Sequence, residues 1–179
     1  MAVLEIHKFP ARILTKLADE ITNIDGRIAG LLNSMVDTMY AAKGIGLAAP
    51  QIGALERALV MDIDSENRGK KLVKLINPVV AEFSGEITTE EGCLSVVNYT
   101  AEVTRPSKIL VKAWTTDDKE VELELEDLEA VCVQHEIDHL DGMLFIDKIS
   151  KLKREMYRNR LKKMARPGPE PSRNDVPRI

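Results

Sequence analysis

The sequence predicts an α+β fold: short-stranded, mostly antiparallel sheets around a buried central helix, with an amphipathic helix at the C-terminal end. Three observations lead there. Apolar residues at helical spacing fill 28–40, a series of short β-like runs follows over 58–125, and two further helical patterns come after 127. The 179 residues fit one domain of ordinary size, and neither an internal repeat nor a linker interrupts them.

Ile28, Leu31, Leu32, Met35, Val36, Met39 and Tyr40 follow i, i+3, i+4 spacing, which gives a helix with one buried face. Asn23 or Asp25 can cap its start, and Gly44 can end it in a left-handed conformation. The loop Gly44-Ile45-Gly46-Leu47-Ala48-Ala49-Pro50-Gln51 precedes β-like runs at Ala58–Asp62, Leu72–Ile76 and Val79–Phe83. Ile109–Trp114 and Val121–Leu125 read as a hairpin joined by Thr116-Asp117-Asp118-Lys119. Its second strand alternates Val121, Leu123 and Leu125 with glutamates, so one face is solvated. Asp127 can cap the next helix, which runs to about Asp141 before Gly142. Leu128, Ala130, Val131, Cys132, Val133 and Ile137 spread around its circumference, the mark of a buried helix. In the last helix, Ile149, Leu152, Met156, Tyr157, Leu161 and Met164 form a broad apolar face.

Hydrophobic residues at 44% and charged residues at 30% describe a soluble globular protein, and no apolar run approaches a membrane span. Met1 to Pro10 lacks the charged-then-apolar order of a signal peptide, so a cytoplasmic protein with reduced thiols is expected. The net charge of −4 is uneven. Lys148 to Arg166 holds nine Lys/Arg against one acid, Glu155, for a net of +8, which leaves −12 on the rest. Such a segment either meets a polyanion or solvates an amphipathic helix, and the sequence leaves both readings open.

Chemistry concentrates in Gln134-His135-Glu136-Ile137-Asp138-His139, which holds two of the three histidines. Positions four apart share one helix face, so both imidazoles can grip one metal ion while Glu136 works on a metal-bound water. Two imidazoles and a carboxylate inside a buried helix need partners, and a metal supplies them. A catalytic site needs a third protein ligand. The extended metzincin pattern would need a histidine where this chain has Phe145, and Glu155 lies in a strongly basic stretch. Cys93, in Glu90-Glu91-Gly92-Cys93-Leu94-Ser95, is the better donor; a thiolate with two imidazoles suits zinc or iron(II).

These three segments, in this order and at similar spacing, resemble the signature motifs of the peptide deformylases, and the resemblance extends to about Arg166. It implies a cytoplasmic metallohydrolase of protein biosynthesis. Such an enzyme removes the formyl group from the N-terminal formylmethionine of nascent chains and releases formate. It implies a catalytic domain over 1–166; beyond it, 167–179 holds four of the eight prolines and its composition reads as a disordered tail. It implies Cys93, His135 and His139 as ligands of one divalent metal, with iron(II) as the physiological ion and zinc, nickel or cobalt as substitutes in purified protein. Glu136 would move the proton, and the Gln51 amide and Leu94 N–H would donate to the developing oxyanion. Ile45, Gly46, Leu128, Val131 and Cys132 would line the substrate cleft, with Gly44 and Gly46 leaving room for an extended peptide. Implied partners are formylmethionyl nascent peptides and, through the basic helix, the ribosome surface; a membrane and sequence-specific nucleic acid are not.

The chain departs from the family pattern after Leu94-Ser95. An aliphatic-proline pair is usual there, whereas Val96-Val97-Asn98-Tyr99-Thr100 has no proline and offers Tyr99 in place of the usual side chain. Three rival readings use the same residues. A zinc endopeptidase would need a cleft open on both sides of the scissile bond. A thiol hydrolase with Cys93 activated by His135 leaves Glu136 and His139 without roles. A structural metal module would need a fourth ligand, for which Cys132 is the spare thiol.

Overall fold

In the computed structural model, which describes residues 3–64 and 66–164, α1 spans Gly26–Ala41 and is followed by seven strands. These are β1 (Gly46–Ala48), β2 (Ala58–Met61), β3 (Val73–Ser84), β4 (Ile87–Cys93), β5 (Val96–Arg105), β6 (Lys108–Trp114) and β7 (Glu120–Glu126). Then come α2 (Asp127–Leu140) and α3 (Lys151–Met164). The order β1-β2-β3-β6-β7 forms one antiparallel sheet, and β4 with β5 forms a separate two-stranded sheet. The α+β architecture read from the sequence is the architecture found.

Asp25 caps α1, its side chain accepting from the N–H groups of Arg27 and Ile28. The other end departs from expectation. Gly44 N–H bonds Met39 O at 2.9 Å and Lys43 N–H bonds Tyr40 O at 3.1 Å, a Schellman closure in which Lys43, not Gly44, takes the left-handed conformation (φ +57°). α2 ends in the same closure, with Gly142 at φ +71° in the corresponding place. Asp127 caps nothing: it is the first residue of α2, at φ +48°, and its N–H bonds Ser107 O.

The larger sheet is covered on both faces, so β2 is buried along its whole length. Ala58 and Val60 face α1 with Ile28, Leu32, Met35 and Met39, while Leu59 and Met61 face α2 with Ala130, Val133 and Leu140. Far from α1, β7 returns to the expected alternation, with glutamates outward and cross-strand pairs Lys108–Glu126 and Lys112–Glu122. The runs 72–76 and 79–83 are one strand: Asn77 (φ +50°) before Pro78 carries a bulge, and pairing with β6 resumes beyond it. The β4–β5 hairpin is an element the sequence reading passed over. Its inner positions Val96, Ala101 and Val103 pack with Phe145, Ile146 and Tyr157.

The apolar face of α3 is narrower than expected. Tyr157 is buried and Ile149 and Leu161 partly so, but Leu152 and Met156 are 72% and 64% exposed. They lie roughly 100–140° around the helix from Tyr157, outside the stripe that meets the body. The tail 167–179 lies outside the described residues.

Gly142 tests this architecture. A Cβ there would meet the Thr15 backbone at 2.9 Å, on top of the cost of positive φ. Gly142→Ala should lower stability by about 2 kcal/mol or more in urea denaturation, whereas Lys43→Gly should raise it by about 0.5–1 kcal/mol. A change within about 0.5 kcal/mol for Gly142→Ala would refute the packing described.

Candidate metal centre

α2 sits between the large sheet and the hairpin, and its hairpin side carries the chemistry. His135 and His139 stand one turn apart with ring centroids separated by 5.1 Å. Cys93 closes β4, where a register shift after Gly92 brings its sulfur to 3.1 Å from His139 Nε2. One donor atom from each of Cys93, His135 and His139 lies within 4.8 Å of the others. One sulfur and two imidazole nitrogens form a donor set for a borderline-soft divalent cation, and three protein donors leave a position open.

The surrounding charges fit such a cation. His135 Nδ1 bonds Glu91 Oε2 at 2.8 Å, which leaves Nε2 for the centre. Arg105 grips Glu91 through Nε and Nη2 and reaches Asp138 Oδ2 through Nη1 at 2.8 Å; all three side chains are nearly or fully buried. Burial opposes charge on the Glu91 carboxyl, but the Arg105 and His135 hydrogen bonds outweigh it and hold the group at about 2. Burial also opposes charge on His135, yet its bonds to Cys93 and Glu91 raise it to about 10. Positive charge is therefore favoured where the three donors meet. His139, pushed well below its ordinary value by burial and then by His135 and Arg105, offers a neutral lone pair.

Glu136 stands beside the donors with its carboxyl raised to about 7, burial being the largest cause. Its Oε2 is buried without a hydrogen-bond partner. Such a carboxylate is suited to taking up a proton. Glu136 also explains Gly46, since a Cβ there would collide with Glu136 Oε1 and lie 3.0 Å from Cys132 Sγ. Gly46 therefore makes room for the Glu136 carboxylate, and Gly44 for the Leu94 side chain.

Cys93 and His135 line a cleft of about 560 Å³, and His139 is buried beside them. The cleft lining includes every expected site residue except His139: Gln51, Cys93, Leu94, His135, Glu136, Ile45, Gly46, Leu128, Val131 and Cys132. Ile45 and Leu128 are 36% and 48% exposed, at the mouth, while Val131 and Cys132 lie deep. The Gln51 amide is fixed: Oε1 accepts from Ala48 N–H at 2.8 Å, and Nε2 donates to Ser95 Oγ at 3.2 Å and toward Cys93 Sγ at 3.5 Å. Leu94 is held from behind by Lys8 Nζ on its carbonyl. Cys132 stays outside the donor group, its thiol facing Ile45 O and pushed up by burial. Tyr99 lines the cleft and stacks on Tyr157 with centroids 4.6 Å apart.

Sequence reasoning did not assign Glu91, Arg105 and Asp138. Glu91 and Asp138 lie inside the two motifs and could have been suspected, because a ligating histidine needs an acceptor for its other nitrogen. Nothing local marks Arg105, which β5 brings opposite Glu91's strand.

The Glu91 contribution to stability has a definite sign. Its folded value lies below the ordinary 4.5, so the stabilisation is complete above about 4.5 and disappears as pH falls toward 2. Arg105→Met leaves buried Glu91 with His135 alone and Asp138 with Lys148 alone, and should cost about 3–5 kcal/mol near neutrality. It should also flatten the fall in urea midpoint between pH 4.5 and 2; an unchanged slope would refute the network's role.

Comparison with known proteins agrees with this geometry. The family described as polypeptide deformylase matches residues 3–155. A peptide deformylase of Thermodesulfovibrio yellowstonii is 48% identical over 162 residues, covering 90% of this chain and 98% of that one. The crystal structure of a peptide deformylase from Legionella pneumophila is similar with a TM-score of 0.85 and 43% identity, over 91% of this chain and 95% of that one. That of the Ehrlichia chaffeensis enzyme in complex with actinonin is similar with a TM-score of 0.85 and 36% identity, over 93% and 100%. With the matched span taking in all three motifs and the whole donor set, this chain belongs to the polypeptide deformylase family.

Proposed function

We propose that Cys93, His135 and His139 hold one divalent cation, iron(II) in the cell, and that Glu136 moves the proton as the N-terminal formyl amide is hydrolysed. The chain is a metal-dependent hydrolase that removes the N-formyl group from nascent polypeptides and releases formate. One observation carries the assignment of roles: three soft-to-borderline donors, two of them lining the cleft, converge beside a buried carboxylate with an unpartnered oxygen.

When bound, the cation supplies Lewis acidity, lowering the pKa of a water toward neutrality and polarising the formyl oxygen. Glu136, raised to about 7, takes the proton of the attacking water and delivers it to the leaving amine nitrogen. As charge grows on the formyl oxygen, the Gln51 amide, already locked by Ala48 and Ser95, and the Leu94 N–H donate to it. Ile45, Leu128, Val131 and Cys132 receive the methionine side chain, and the Gly46 backbone lies along the peptide. Residues 1–166 form the catalytic domain.

The test is formate release from formylmethionyl peptides. Glu136→Ala should keep the bound metal and the fold while losing about 10²–10⁴-fold in turnover. Acetylated and internal peptide bonds should be poor substrates. Near-normal turnover by the variant would refute the proton-transfer role, and efficient internal cleavage would make the chain an endopeptidase.

The enzyme meets its substrate in the cytoplasm at the ribosome, whose surface is rich in RNA phosphate. None of the described helices is long and apolar enough to cross a membrane, and α3 presents Lys153, Arg158 and Lys162 to solvent. Reversing these three charges should abolish salt-sensitive binding to ribosomes and leave cleavage of free peptides intact. Undiminished binding at low salt would mean that the charges only solvate the helix.

A further inference from the structure

A line of alternating charge leads from the ligand His135 to the base of α3. His135 Nδ1 bonds Glu91, Glu91 is gripped by Arg105, Arg105 reaches Asp138 Oδ2, and Asp138 Oδ1 pairs with Lys148 Nζ at 3.0 Å. The inner members are nearly or fully buried, whereas the Lys148 side chain is 34% exposed and is not one of the cleft-lining residues. Its place is fixed by the short turn Phe145–Asp147. Lys148 N–H bonds Phe145 O at 3.0 Å, and Asp147 ties Leu144 N–H and Arg154 to the same turn.

Two cations, Arg105 and Lys148, balance two carboxylates, Glu91 and Asp138. Without Lys148 the group carries one net negative charge in a poorly screened interior. Asp138 then has Arg105 as its only cationic partner and draws it away from Glu91. Glu91 pulls harder on the His135 Nδ1–H, and the opposite nitrogen becomes the stronger donor. A stronger donor binds the cation more tightly and makes it a poorer Lewis acid.

We propose that Lys148 is a positioning residue of the deformylation reaction. By occupying Asp138 it keeps Arg105 on Glu91, and so limits the donor strength of His135 toward the metal. The inference rests on the metal assignment made above. It predicts that cation affinity and turnover move in opposite directions, which loosened packing does not produce.

The experiment compares the full chain with Lys148→Met and Lys148→Arg, using cobalt(II) as the probe. Affinity is read from the thiolate-to-cobalt absorption band during titration against a competing chelator. Direct hydrogen-bond partners of metal ligands typically change affinity or activity about 10–100-fold, so a residue further out should change them by about 3–10-fold. Lys148→Met should bind cobalt(II) more tightly by that factor and lose kcat by a similar factor at unchanged KM, while Lys148→Arg restores both. Unchanged affinity and kcat in Lys148→Met, or both falling together, would overturn the proposal. A missing thiolate band in the unaltered chain would overturn the metal assignment with it.

Discussion

The bidentate grip of Arg105 on Glu91, extended to Asp138, is the interaction on which the rest of this structure depends. α2 is buried between a sheet and a hairpin, yet carries two imidazoles and two carboxylates on its buried surface. An interior tolerates such groups only when each charge has a partner. Arg105 bridges one carboxylate of the helix and one of β4, and thereby locks the hairpin that carries Cys93 to the helix that carries His135 and His139. Fold and site therefore share one constraint: the hairpin cannot leave the helix without separating buried charges.

The same constraint explains why the cleft is rigid at its floor and open at its mouth. Gln51, Glu91, Arg105 and His139 are almost fully buried, and the Gln51 amide is held in one orientation by a backbone donor, Ala48 N–H, and a side-chain acceptor, Ser95 Oγ. The side chains of Ile45 and Leu128 meet solvent at the mouth. Preorganised donors at the reacting atoms with an exposed rim suit an enzyme that accepts many peptides and recognises one end group.

Much of this was legible in the sequence because it rests on local periodicity. The i, i+4 histidines, the all-round apolar surface of α2 and the alternation in β7 each follow from a fixed repeat, and each occurs as read. What was not legible depends on partners distant in sequence. Arg105 looks like any strand-end arginine until β5 pairs with β4. The hairpin itself was hidden because Thr88, Glu90, Thr100 and Glu102 give it a polar outer face, and its inner face is short of large apolar residues. The contact of Gly46 with the Glu136 carboxylate, which its missing side chain admits, joins residues ninety positions apart and has no local signal. Lys43 takes a left-handed conformation usually left to glycine because both carbonyls at the end of α1 still find their donors.

The central claim is that one thiolate and two imidazoles, brought together by the hairpin and the helix that this network joins, make the metal site. X-ray absorption at the metal edge of protein loaded with cobalt or zinc tests it most directly, because sulfur and nitrogen scatter at distinct distances, about 2.3 Å and 2.0–2.1 Å for zinc. The structure predicts one sulfur and two imidazole nitrogens, with the remaining scattering from a light atom, unchanged in Cys132→Ser protein. A shell with two sulfurs, or with none, would contradict it.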